Sequence, residues 1–181
     1  MKKMRIESIC NRALIVILLL VGFGLHAQTI GVRPGIAFYT GTAGFEGLLE
    51  GRFDLPFFED GPGQFTTSAF LGYSYVDAGG LSTNGFMLGA GGGYEVNPGP
   101  EEVYTTPGLI TGVEFSQFNE SVLENEAAIM LVPYIEAGYE FDFNLSAGLQ
   151  LGLKNLFYVG EYGAAERSIT LGPVVHYTFG G

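Results

Sequence analysis

The sequence contains no tryptophan and a single cysteine, Cys10. Cys10 comes before the apolar run near the N-terminus, whereas the acceptor cysteine of a lipoprotein follows such a run, so we predict no lipid anchor. With no cysteine beyond it, the rest of the chain cannot form a disulfide or a cysteine-based metal site. We expect no cofactor.

Basic residues are also scarce. The first 27 residues hold four of the eight Lys and Arg residues and one of the 19 Asp and Glu residues, which leaves four basic and 18 acidic residues, a net charge near −14, for the remainder. Because a surface this acidic repels phosphates, we expect no nucleic-acid partner. Lys154 is the single lysine of that remainder, which is unusual for a water-facing surface.

The N-terminal segment has the three parts of an export signal. A basic stretch precedes the unbroken apolar run Ala13 to Val21, and Leu25 to Ala27 supplies a small-residue cleavage site before Gln28. A retained membrane helix would need about 20 apolar residues, and this run is shorter. We predict a cleaved signal peptide over residues 1–27 and one domain over residues 28–181.

Beyond residue 27 no apolar run is long enough for a membrane helix, yet 47% of all residues are hydrophobic. They alternate with small or polar residues, the period-two pattern of β-strands. The expected connections include a loop over Asp77 to Gly85, a turn at Asp142 alone and a loop over Asn155 to Arg167. We predict eight strands: Ile30 to Tyr39, Phe45 to Leu55, Phe65 to Val76, Phe86 to Val96, Thr105 to Phe118, Ala127 to Phe141, Phe143 to Lys154 and Ser168 to Phe179.

The last strand organises the prediction. It ends almost at the last residue, so little sequence follows to cover its free edge, and pairing with Ile30 to Tyr39 would close the sheet into a barrel without edges. An export signal, alternating strands and a final Tyr177-x-Phe179 together resemble the small eight-stranded outer-membrane barrels of the OmpA/OmpX-like group. The resemblance implies an all-β, antiparallel, up-and-down transmembrane barrel in the cell outer membrane, with Tyr177 and Phe179 as its assembly signal.

Alternation alone leaves the orientation of the two faces open between a soluble lipocalin-like barrel and a membrane barrel. Glycines such as Gly89, Gly91 and Gly93 crowd the polar face, which suits the narrow interior of eight strands. Aromatic residues of the apolar face fall near the strand ends and would form two interfacial girdles. We therefore predict that the apolar face meets lipid and the polar face fills the lumen.

Assigned by strand parity, the lumen contains three bases and seven carboxylates, with Tyr134, Gln150 and His176 nearby. Buried charges persist when they are paired, so we predict an ionic network that plugs the barrel; cation binding or proton sharing by the excess carboxylates is the alternative. The predicted lumen network comprises Arg33, Glu46, Glu50, Arg52, Asp54, Glu95, Glu114, Glu136, Glu140 and Lys154.

The expected function is structural or surface-interacting rather than enzymatic, with a narrow channel for a small solute or ion as the first alternative. A lipid A-modifying enzyme is the second: His176-Tyr-Thr178 resembles the His-x-Ser pair of the deacylase family, but the serine is absent. No metal site is predicted. Expected partners are outer-membrane lipid and, during assembly, the barrel-insertion machinery; the surface ligand stays unidentified, and we expect a monomer.

Overall fold

The computed structural model describes residues 29–55, 63–78, 81–118, 126–159 and 165–179, with the side chains of 54, 55, 81 and 165 excepted. The predicted signal peptide lies outside the described residues. Within them, no helix is long and apolar enough to span a membrane. The strands are β1 (Thr29–Tyr39), β2 (Thr42–Leu55), β3 (Gly63–Ala78), β4 (Leu81–Val96), β5 (Val103–Phe118), β6 (Glu126–Phe141), β7 (Leu145–Tyr158) and β8 (Ala165–Thr178).

Each strand pairs antiparallel with its neighbours in sequence, and β8 returns to pair with β1, so the sheet is closed. Ile30 lies opposite Tyr177 and Phe38 opposite Ile169 in this closing seam. Closure leaves no exposed edge on which backbone groups would stay unpaired. The predicted eight-stranded, antiparallel, up-and-down barrel and its closure by the first and last strands are confirmed.

The two ends of the barrel differ. The hairpin end carries the connections 40–41, 79–80, 119–125 and 159–164; the terminal end carries 56–62, 97–102 and 142–144 together with Thr29 and Phe179. At the hairpin end the β1–β2 connection has two residues, and Gly41 takes the left-handed conformation (φ 86°) that such tight hairpins require.

Three predicted connections were wrong in length. The loop predicted over Asp77 to Gly85 is shorter in the structure, because β3 runs to Ala78 and β4 starts at Leu81. Asp77 pairs with Ser82, so the hydrogen-bonded ladder extends beyond the apolar part of both strands. The loop predicted over Asn155 to Arg167 is likewise shortened, since β7 runs to Tyr158 and β8 starts at Ala165. Polar residues such as Asp77, Ser82 and Asn84 hid the β3 and β4 extensions from a search for hydrophobic alternation.

The turn predicted at Asp142 alone occupies residues 142–144 instead. Phe143 (φ 82°) and Asn144 (φ 60°) both adopt left-handed backbone conformations. This turn uses two residues with positive φ values, which a connection of one residue cannot hold. β7 therefore starts at Leu145 rather than at Phe143.

Side chains alternate between the interior and the exterior of the wall. In β6, Met130, Val132 and Tyr134 are buried, whereas Ile129 and Ile135 are exposed. The same period runs through the other strands, as expected when successive Cβ atoms point to opposite faces. The interior of the barrel is thereby filled from all eight strands.

Gly172 marks a position where the closing strands approach closely. A Cβ built there would lie 2.2 Å from the carbonyl oxygen of Pro34, which is backbone and cannot move aside. We expect Gly172→Ala to lower the free energy of unfolding by about 1–3 kcal/mol through overpacking. Gly92→Ala is the matched control, because the nearest atom to its Cβ would be 3.4 Å away; equal urea midpoints for the two variants would contradict this prediction.

Candidate functional site

The charged interior of the barrel is built from inward positions of strands that are distant in sequence. Glu50 lies opposite Gly31 in β1 and Phe70 in β3, and Glu136 lies opposite Thr106 in β5 and Gln150 in β7. Long side chains from these positions cross the lumen and meet at its centre. They form two separate ionic clusters.

The arginine cluster consists of Arg33, Glu50, Arg52, Glu136 and His176, all buried. Arg52 Nε donates to Glu50 Oε1 at 2.8 Å and Arg52 Nη2 donates to Glu136 Oε2 at 2.7 Å. Arg33 Nη2 donates to Glu50 Oε2, and His176 Nε2 lies 2.8 Å from Glu50 Oε1. Two guanidinium groups thus offset two carboxylates, and Glu50 is held from three sides.

The lysine cluster consists of Glu46, Glu114 and Lys154. The Lys154 Nζ atom is 2.8 Å from Glu46 Oε2 and 2.7 Å from Glu114 Oε2. Ser74 Oγ donates to Glu114 Oε1 at 2.8 Å, and the Met87 sulfur lies 3.5 Å from Nζ. One ammonium group therefore holds two buried carboxylates, and the cluster carries one surplus negative charge when all three groups are ionised.

Apolar side chains fill the space beside these clusters. The ring of Tyr134 lies under Arg33, whose guanidinium carbon is 5.4 Å from the ring centroid, a cation–π contact. The filling closes the lumen, as the side-chain volume of an eight-stranded barrel allows. The buried apolar cluster comprises Phe70, Met87, Ile110, Ala128, Met130, Val132, Tyr134 and Leu156.

Seven of the ten predicted network residues belong to the two clusters. Glu95 is half-buried and its carboxylate lies 3.5 Å from Thr106 Oγ1, while Glu140 is exposed at the terminal end. The side chain of Asp54 lies outside the described part of the chain. Sequence reasoning missed Tyr104, which donates to Glu136 Oε1 at 3.1 Å, because the predicted fifth strand started one residue after it.

Each end of the barrel opens into a polar cavity. At the terminal end a cavity of about 540 Å³ is bordered by Arg52, Glu95, Glu140, Ser146 and His176, among others. At the hairpin end a cavity of about 560 Å³ is bordered by Tyr39, Thr40, Thr42, Glu166 and Arg167. The two ionic clusters and the apolar cluster lie between them.

One arrangement at the terminal cavity resembles the order of a nucleophile, a base and an acid. Ser146 Oγ is 3.5 Å from His176 Nδ1, and the other ring nitrogen faces Glu50. However, Glu136 Oε1 is 3.6 Å from the same Nδ1, so two carboxylates flank the imidazole. The same two carboxylates also hold Arg52, so the imidazole is part of the buried arginine cluster. Among the described residues, no group of His, Cys, Asp and Glu side chains is placed to hold a metal ion.

No family model matches the chain, and no curated protein matches it in sequence. Solved structures that are similar to it include the following two. Neisserial surface protein A (NspA) is 14% identical over 83% of this chain and 95% of its own length, with a TM-score of 0.58. The outer membrane enzyme PagL is 14% identical over 82% of this chain and 99% of its own, with a TM-score of 0.51.

Identities this low establish a shared fold and nothing finer. The chain has the closed eight-stranded fold of these small outer-membrane barrels. The predicted resemblance to the OmpA/OmpX-like group is thus confirmed at the level of the fold.

Proposed function

We propose that the protein is an integral outer-membrane barrel with a closed, charged lumen and a structural or surface-interaction role. One observation carries the proposal: the polarity of the fold is the reverse of that of a water-soluble protein. Glu136 and Lys154 are completely buried, whereas Leu149 is 61% exposed and Phe115 53% exposed. An exposed apolar surface of this extent is stable only against another apolar phase.

Aromatic residues at both ends of the exposed apolar face support the same conclusion. At the hairpin end the Tyr73 and Phe86 rings pack edge to face, 5.5 Å apart. At the terminal end the rings of Phe65 and Tyr94 are 4.7 Å apart. Two aromatic belts flanking an apolar band are the arrangement by which transmembrane barrels match the two membrane interfaces.

Electrophoretic mobility before and after boiling tests the proposal. A folded membrane barrel stays compact in cold dodecyl sulfate and changes mobility after boiling, so we expect two bands from the purified protein. Separation of cell envelopes should place it in the outer-membrane fraction. A single unchanged band together with a soluble fraction would overturn the proposal.

In the proposed outer-membrane barrel, insertion into the membrane depends on the last strand. Phe179 stacks edge to face on Tyr177, with centroids 5.1 Å apart, and both face outward where the barrel-insertion machinery would meet them. We expect Phe179→Ala to reduce the yield of inserted barrel more than Leu151→Ala. The two side chains are 49% and 48% exposed, so the comparison matches two outward positions of equal fractional exposure. Equal membrane yields would remove the assembly role of Phe179.

The polar cavities at both ends favour one alternative, a narrow channel. The buried clusters between them would have to rearrange to pass an ion. Planar-bilayer recording separates the two functions: the closed-lumen proposal expects no reproducible unit conductance, and a stable unit conductance from purified protein would replace it with the channel.

We propose no catalytic role. Because Ser146 and His176 border an open cavity, the question is testable by mass spectrometry of lipid A from cells with and without the protein. We expect identical acylation patterns. A changed pattern that disappears in Ser146→Ala would establish the enzymatic alternative.

A further inference from the structure

The closing seam between β1 and β8 has a local break in its hydrogen bonds. Its ladder is continuous from Thr29 to Val32 and again from Ile36 to Phe38, but no pairs join the strands between the Val32–Val175 and Ile36–Leu171 pairs. At this register Pro34 faces Pro173. Proline has no N–H, so neither residue can donate to the carbonyl group opposite, and two wall carbonyls lose their usual donors at the same place.

Unsatisfied donors lie directly behind this break. Arg33 is 95% buried, and among the described residues its Nε and Nη1 atoms have no hydrogen-bond partner; the same holds for the buried Nε2 of Gln150. Buried N–H groups in folded proteins are nearly always paired with protein or with ordered water. A donor of the guanidinium group left unpaired is especially costly because it is charged.

These donors border one small cavity together with both prolines. The cavity has a volume of about 20 Å³, and Glu46, Gly172 and Thr170 also border it. A water molecule needs roughly 10–15 Å³ and two to four polar partners. The space therefore suits one water molecule.

We propose that this cavity is a binding site for a single structural water that closes the seam. The water accepts from Arg33 and Gln150 and donates toward the carbonyl groups that the prolines leave without a partner. The site offers both N–H donors and carbonyl oxygen acceptors, and water is a ligand that can both accept and donate. An anion would be repelled by the Glu46 carboxylate and the two carbonyl oxygens, and a metal cation would be repelled by the N–H donors.

The close approach of the strands explains why a side chain cannot do the same. A Cβ at Gly172 would lie 2.2 Å from the Pro34 oxygen, so the seam has no room for a polar side chain from that position. The water thus links the wall to the arginine cluster through Arg33, and it lies between that cluster and Glu46 of the lysine cluster.

Crystals of the full barrel grown in sodium bromide test the site. We expect one electron-density peak within about 3 Å of an Arg33 nitrogen and Gln150 Nε2, without anomalous bromide signal. In Gln150→Leu, whose side chain is apolar and has no hydrogen-bond donor, the peak should be lost while the barrel stays closed. Gln64→Leu, an exposed position in β3, is the control and should keep the peak.

A solution measurement covers the case in which Gln150→Leu does not fold. In detergent micelles the Arg33 Nε proton of the unaltered protein should show a cross-relaxation peak to a long-lived water. An empty cavity, an anomalous bromide peak or the absence of that cross peak would each overturn the proposal. These outcomes are independent of whether the barrel lies in a membrane.

Discussion

Replacing Arg52 by methionine is expected to lower the free energy of unfolding by roughly 3–5 kcal/mol at neutral pH, the usual cost of breaking a buried ion pair from one side. Arg52 contacts Glu50 and Glu136 at once, at 2.8 and 2.7 Å. Methionine keeps much of the volume but leaves Arg33 alone to offset both carboxylates. Urea unfolding from detergent or lipid vesicles measures the loss.

Two further variants separate charge from packing. Arg167 is exposed in β8, so Arg167→Met removes the same charge without burial and should change the midpoint little. Adding Glu136→Gln to Arg52→Met should recover part of the loss. Glu136 is the better second change because Glu50 lies within hydrogen-bond distance of both Arg33 and His176, whereas Glu136 is 3.7 and 3.6 Å from them.

Acid should shrink the difference between Arg52→Met and the unaltered protein. The variant is less stable at neutral pH because two buried carboxylates share one guanidinium group. Protonation of a carboxylate in acid removes its unpaired negative charge. The unaltered protein instead loses favourable ion pairs as the same carboxylates protonate. A deficit that stays constant from neutral to acid pH would show that lost packing, not charge, accounts for it.

Replacing Lys154 by methionine is expected to lower the free energy of unfolding by as much as Arg52→Met or more. Lys154 is the only base of its cluster, and its loss leaves Glu46 and Glu114, both of which approached the same ammonium nitrogen within 2.8 Å. Two unpaired like charges then remain buried, at a cost of about 3–5 kcal/mol or more. The measurement is again the urea midpoint.

The neighbouring residue provides the control for Lys154. Leu153 points to the exterior, so Leu153→Met changes side-chain shape on the same strand without touching the cluster, and its midpoint should stay near that of the unaltered protein. Lys154→Met combined with Glu114→Gln should be more stable than Lys154→Met alone. If the second change gives no recovery, Lys154 does not balance Glu114.

Strand parity predicted the direction of the interior side chains but not their partners. The inward position of Lys154 follows from the alternation of β7. Its contact with Glu46, 108 residues away in sequence, depends on the register of every strand pair around the closed barrel. Parity contains no information on register, so the sequence could not distinguish two separate clusters from one network.

Residues near strand ends were the other source of error. Glu140 has the parity of an interior residue, yet the lumen has already opened to solvent at its level and the side chain is exposed. Tyr104 lay outside the predicted fifth strand and was not considered. The prolines of the closing seam were assigned correctly to strands, but their mutual opposition required the register of β1 against β8.

The absence of tryptophan offers the most direct test of the reversed polarity on which the account depends. Phe86→Trp and Phe70→Trp each introduce a single tryptophan in place of phenylalanine; Phe86 is 52% exposed and Phe70 1% exposed. The barrels are reconstituted in vesicles of brominated lipid, whose acyl chains quench tryptophan fluorescence on contact. We expect strong quenching at position 86 and little at position 70; equal quenching, or the reverse order, would show that the exposed apolar face does not meet lipid.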